Sequence, residues 1–98
     1  MEIVLLVESK NMSKVNDIIL KDPVISLASI VFKDGASINK PHNYVYISGL
    51  DTQCQKAIEL TKDFVKVLEG REKDEIIRMI KEEESKAVEG FGGIFGSA

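Results

Sequence analysis

His42 is the only histidine in the chain and Cys54 is the only cysteine. These two side chains therefore limit the nucleophilic and acid–base chemistry that the sequence supports. Nucleophilic catalysis needs a base beside the nucleophile, and His42 is the one imidazole available for that role. It lies in a polar segment before a predicted strand, which is typical of a loop side chain, whereas Cys54 lies on the apolar stripe of a predicted helix and is typical of a small buried residue. The sequence therefore favours a non-catalytic protein. An enzyme whose carboxylates or lysines meet at a subunit interface stays as an alternative.

The polar segment 34–43 is the best place in the sequence to look for a binding site. It gathers four side chains that can hydrogen-bond or carry charge, namely Asn39, Lys40, His42 and Asn43. Loops held by a rigid sheet are where binding residues concentrate. A small-molecule-binding regulatory domain, with its site in this loop at a subunit interface, is thus the second functional hypothesis.

Other patterns that could bind an ion or a phosphate do not have the required geometry. The consecutive glutamates at 82–84 fan out over about 200 degrees on a helix and cannot converge on one metal ion. The glycines of residues 90–96 follow a predicted helix, whereas a phosphate-binding loop lies between a strand and the next helix. The sequence predicts neither a metal nor a cofactor.

Composition narrows the class of partner. The 98 residues carry a net charge of -3, their Lys and Arg are interleaved with acids, and there is no tryptophan, which argues against nucleic acid as a partner. No stretch approaches the roughly 18 apolar residues of a membrane span, so no membrane partner is expected. A single cysteine forms no internal disulfide, which predicts a cytoplasmic location.

Hydrophobic periodicity predicts the element order βαββαα. Strands are predicted over 2–7, 24–33 and 43–49, and helices over about 11–22, over 51–69 with Asp51 as N-cap, and over about 71–89. A right-handed crossover followed by a hairpin places the third strand between the other two. The predicted fold is α+β, a truncated ferredoxin-like unit with a three-stranded, mainly antiparallel sheet in the order 1-3-2 and its helices on one face. Residues 1–89 form the domain, and the Gly/Phe-rich tail 90–98 can add an edge strand beside the first strand.

The strands are apolar on both sides, so a sheet with helices on one face alone needs a second cover. Tyr44 and Tyr46 share one face of the third strand, and Phe91, Ile94 and Phe95 place large apolar groups in the tail. The leading hypothesis is a homo-oligomeric assembly or adaptor element that self-associates through the sheet face, the tail or both. The tail is also the predicted contact for any other protein partner.

Overall fold

The structure, a computed structural model, is a small α+β domain with a four-stranded antiparallel sheet. It describes the backbone of residues 1–96 and the side chains of residues 1–83. The elements are β1 (Glu2–Val7), α1 (Met12–Lys21), β2 (Ser29–Lys33), β3 (Asn43–Ser48), α2 (Asp51–Thr61), β4 (Val65–Val67) and α3 (Gly70–Gly96).

The sheet has the order β2-β3-β1-β4, and all neighbours are antiparallel. β3 therefore lies between β1 and β2, as the hairpin and crossover predicted. In the register, Val4 lies opposite Tyr46 and Ile30 opposite Ile47. The two central strands are almost fully buried, because each has a neighbour on both edges and a cover on both faces.

The fourth strand comes from a segment that the sequence analysis assigned to the second helix. α2 ends at Thr61, and Val65–Val67 pairs with β1, with a further hydrogen bond of 2.9 Å from Leu68 N–H to the Val4 carbonyl. Val65 and Val67 contact the core under α1 and α2, while Leu68 is buried on the opposite face. The prediction of three strands was wrong because pairing with the free edge of β1 outweighs the local helical period.

The predicted strand 24–33 is also shorter than expected. The chain makes a single 3-10 turn at Ile25–Leu27 before β2 starts at Ser29. Asp22 holds this turn, because its Oδ1 accepts the N–H groups of Val24 and Ile25 at 2.9 and 3.0 Å. Those hydrogen bonds, that of Ile25 first, lower the pKa of the Asp22 carboxyl.

Each face of the sheet has its own apolar core. Under α1 and α2, residues such as Leu5 and Ile47 pack on Val15, Ile19 and Ala57. On the other face, Val4, Tyr44 and Tyr46 pack under Ile76 and Ile80 of α3. The prediction that all helices lie on one face was therefore wrong. Isoleucines spaced four residues apart on α3 form the apolar stripe that covers the second face.

Within residues 1–83, three ion pairs join α3 to the rest of the domain. Lys40 Nζ lies 3.2 Å from Glu75 Oε1, and Lys81 Nζ lies 3.2 Å from Glu2 Oε1. The Lys33 ammonium, nearly buried at the end of β2, pairs with Glu83. Helix α3 is thus fixed both by its apolar stripe and by charges from β1, β2 and the 34–43 loop.

The proposed boundary between domain 1–89 and tail 90–98 falls within α3, which continues through Gly96 instead of ending near residue 89. The side chains of the tail lie outside the described residues. The β1 edge that the tail was expected to fill is taken by β4. Among the described residues, no helix is long and apolar enough to cross a membrane.

Truncating Ile80 tests whether α3 covers the second face. Ile80→Ala removes a buried side chain and should lower the free energy of unfolding by about 2–4 kcal/mol in a urea titration. Leu20→Ala, at an exposed position on α1, should change it by less than about 0.5 kcal/mol. Equal small effects of both substitutions would mean that α3 does not pack on the sheet.

Candidate functional site

The 34–43 loop is a closed, internally bonded structure. Asp34 caps a 3-10 helix at Gly35–Ile38, since its Oδ1 accepts the Ala36 N–H at 3.0 Å. Asn39 ends that helix in the left-handed region with φ 58°, a conformation that asparagine tolerates better than most residues. Gly35 lies against the His42 carbonyl oxygen, where a Cβ would collide with backbone. The loop can therefore close on itself only with glycine at 35.

Two of the four predicted binding residues hold the fold together. Asn43 Oδ1 accepts the Gly35 N–H at 3.1 Å, and its Nδ2 lies 3.5 Å from Ser9 Oγ. Lys40 is the ion-pair partner of Glu75 on α3. Both side chains are therefore engaged in positioning the loop rather than presented together to a ligand.

His42 is half-buried at the start of β3 and makes no side-chain hydrogen bond or ion pair with the described residues. Its fixed contribution is the carbonyl that packs on Gly35. The four predicted residues therefore do not converge on one point. Of the four, Asn39 lines a groove.

That groove, which we call the loop groove, lies between the 34–43 loop and α3. It is lined by Ile38, Asn39, Met79, Glu82 and Glu83 and has a volume of about 330 Å³. Apolar side chains and hydrogen-bond acceptors line it together, which suits an amphipathic molecule with a donor or cationic head. The α3 side of this groove was missed from the sequence, where the glutamates at 82–84 were considered only as possible metal ligands. Only the docked position of α3 brings them to the loop.

A second groove, of about 440 Å³, lies on the other side of α3 beside the start of β1. It is lined by Glu2, Asp74, Ile77, Arg78, Lys81 and Glu82. Here the Tyr46 hydroxyl donates to Glu2 Oε1 at 2.6 Å, and Lys81 Nζ donates to the same oxygen at 3.2 Å. The hydrogen bond from Tyr46 and then that from Lys81 lower the pKa of the Glu2 carboxyl. The charges at this groove are thus largely paired with one another.

Cys54 is fully buried in the core under α1 and α2. Burial raises the pKa of its thiol, so the nucleophilic thiolate is disfavoured. The interpretation of Cys54 as a small buried apolar residue is confirmed.

The predicted interface residues fall into two groups. Tyr44 and Tyr46 are 5% and 6% exposed beneath α3, so the cover that they need comes from the same chain. The side chains of Phe91, Ile94 and Phe95 lie outside the described residues.

Exposed apolar side chains gather at the end of the sheet where β1 and β2 begin and β3 ends. Met1 and Gly49 exchange backbone hydrogen bonds of 2.9 and 3.0 Å, and Ala28 lies close to Gly49 across the β2–β3 pair. We call this surface the apolar end; its members are Met1, Leu27 and Leu50. Leu27 is 80% exposed and Leu50 is 67% exposed. Apolar side chains exposed together at one end of a domain are a mark of an interaction surface.

Substituting Tyr46 tests the Glu2 contact through its pH dependence. Because the folded pKa of Glu2 is lowered, the contact stabilises the protein fully above the ordinary value of 4.5 and is lost as the pH falls through the folded value. Tyr46→Phe should therefore lower the free energy of unfolding at pH 7 by about 0.5–1 kcal/mol, since Glu2 is partly exposed. The difference from the wild type should shrink below pH 4.5.

The control for this experiment is Tyr44→Phe, which removes a hydroxyl from the same face where no described carboxylate accepts it. Its effect should not vary between pH 7 and the acid range. A Tyr46→Phe effect that stayed constant as the pH fell would contradict the assignment.

Comparison with protein families, with curated proteins and with solved structures finds no match. Among the described residues, no group of three or more His, Cys, Asp or Glu side chains is placed to hold a metal ion.

Proposed function

We propose that this chain is a non-catalytic α+β domain that self-associates into a homo-oligomer and acts as an assembly or adaptor element. The observation that carries the proposal is the apolar end. Three large apolar side chains are exposed to water there, although the domain has two apolar cores in which such groups are buried. A second copy of the chain packed beside Leu27 would remove part of this apolar surface from water.

The surface of association differs from the one that the sequence favoured. Because α3 covers the second sheet face, that face offers little apolar area to another subunit. The tail residues Phe91, Ile94 and Phe95 keep their proposed role in self-association or in contact with another protein.

The finer fold assignment is part of the proposal. The strand order β2-β3-β1-β4, with a helix between β1 and β2 and another between β3 and β4, supports a ferredoxin-like βαββαβ unit to which α3 has been added. A cytoplasmic location is likewise proposed, and the single buried free cysteine supports it.

Sedimentation velocity tests self-association and the apolar end together. We expect the wild type to shift from monomer to a larger species as its concentration rises through the micromolar range. Leu27→Ser should shift this transition to higher concentration, because it removes the most exposed apolar side chain at that end.

Leu60→Ser is the matched control, since Leu60 is an exposed leucine near the other end of α2, about 14 Å along the helix from its start. It should leave the transition unchanged. A wild type that stays monomeric at every concentration would contradict the proposed function. Equal effects of the two serine variants would remove the apolar end from it.

The second candidate function is a small-molecule-binding regulatory domain that uses the loop groove. The size of the loop groove favours this alternative, and so does its lining, which combines the apolar Ile38 and Met79 with hydrogen-bond acceptors on Asn39 and Glu82. Lys40, His42 and Asn43 would then act by shaping the loop rather than by touching the ligand.

A panel of short alkylamines and diamines, added at millimolar concentration, tests this alternative by thermal denaturation. A bound member at 100 times its dissociation constant should stabilise the fold by about 2.7 kcal/mol. Glu82→Gln should reduce the rise in melting temperature that the amine causes, whereas Glu59→Gln, at an exposed position on α2, should not. Failure of every amine to raise the melting temperature would count against an amphipathic cation at this groove.

A further inference from the structure

The two edges of the sheet differ in how they are protected against pairing. β4 has only three residues, and its central Lys66 is exposed; short strands and lysines are devices that block edge pairing. β2 has five residues, and three consecutive apolar ones, Ile30, Val31 and Phe32, are half-buried. Its only charge is Lys33, which is turned onto Glu83 of the same chain.

The hydrogen-bond pattern shows which backbone groups of β3 face which neighbour. Met1 and Gly49 exchange both backbone hydrogen bonds, so Gly49 and every second residue before it face β1. The bond from Leu68 N–H to the Val4 carbonyl fits the same alternation on the other side of β1. The backbone N–H and carbonyl groups of the intervening residues of β3 therefore point toward β2; these residues are Tyr44, Tyr46 and Ser48.

The same alternation fixes the free edge of β2. The β2 partners of those β3 residues are Ser29, Val31 and Lys33. The backbone N–H and carbonyl groups of these three residues therefore hydrogen-bond to β3. The N–H and carbonyl groups of Ile30 and Phe32 consequently point away from the sheet. Within the described part of the chain, no hydrogen bond reaches them.

We infer that β2 pairs with β2 of a second copy of this chain, antiparallel and with the two-fold axis at Val31, to form a continuous eight-stranded sheet. The inference rests on the proposed self-association and names its surface. In this register Ile30 lies opposite Phe32 of the second copy, and Phe32 lies opposite its Ile30. Each of these pairs exchanges two hydrogen bonds, so all four outward N–H and carbonyl pairs are satisfied. A shift of the axis to Ile30 or Phe32 would leave one outward residue of each β2 without a partner in the opposite β2 strand.

The side chains support the same register. Ile30 and Phe32 belong to the core under α1 and α2, and Val31 belongs to the core under α3, so apolar pairs extend both cores across the junction. Ser29 lies opposite Lys33 of the second copy, and no like charges face each other along β2. Leu27 lies beyond the strand, at the end of the second copy's β2, which places part of the apolar end in the same contact.

Cysteine substitution followed by oxidation with oxidised glutathione tests the register directly. Val31→Cys should give a covalent dimer as the main product, because residue 31 faces itself across the axis at a separation that a disulfide spans. Ser29→Cys should stay non-covalent, since residues 29 of the two copies are about 13 Å apart. Cys54 is fully buried and does not compete.

Two substitutions of opposite charge at the exposed Ser29 give a second test that leaves the core intact. Ser29→Lys should weaken dimerisation about tenfold, because it sets two lysine–lysine contacts across the junction, whereas Ser29→Glu should preserve or tighten it. A dimeric wild type whose Val31→Cys variant cross-links no more than Ser29→Cys would overturn the β2 pairing and leave self-association standing. A monomeric wild type would overturn both, with the β2 edge then left for a different partner.

Discussion

The sheet is apolar on both faces, and the rest of the structure depends on covering it twice. Central strands β1 and β3 place Leu5 and Ile47 on one side and Val4 and Tyr46 on the other. Either face left open would expose a contiguous apolar surface, which small monomeric domains rarely tolerate. Helices α1 and α2 cover the first face. The C-terminal helix α3 covers the second, and ion pairs from Lys33, Lys40 and Lys81 fix its position.

This docking of α3 also decides what the 34–43 loop can do. The polar residues of the loop are divided between closing it, as Asn43 does, and binding α3, as Lys40 does. What remains open to a ligand is the groove between Asn39 and the glutamates of α3. The packing of α3 therefore both covers the second face of the sheet and forms the loop groove, so any loosening of α3 would disturb both.

Much of the fold was predictable from local pattern, and the errors have a common cause. The alternation of Val45 and Ile47, the proline after Asp22 and the unbroken apolar run of β1 each fixed an element correctly. Val65 and Val67 were misassigned because Val65 and Leu68 continue the helical spacing of α2. Only pairing with the free edge of β1 shows that this segment is a strand. The side of the sheet taken by α3 could not be predicted, since its isoleucine stripe fits an apolar surface in the same chain or in another. The prediction of the binding site was incomplete for the same reason, because Met79 and Glu82 are brought to Asn39 only by tertiary packing.

Amide hydrogen exchange measured residue by residue reports on the proposed junction, in which β2 joins a second copy of the chain through the backbone of Ile30 and Phe32. The N–H of Val31 faces β3 and should be protected at every protein concentration. The N–H groups of Ile30 and Phe32 should exchange quickly in dilute solution and become protected as the concentration rises through the dimerisation range. Rapid exchange of Ile30 and Phe32 at concentrations where the protein is fully associated would rule out pairing through the β2 edge.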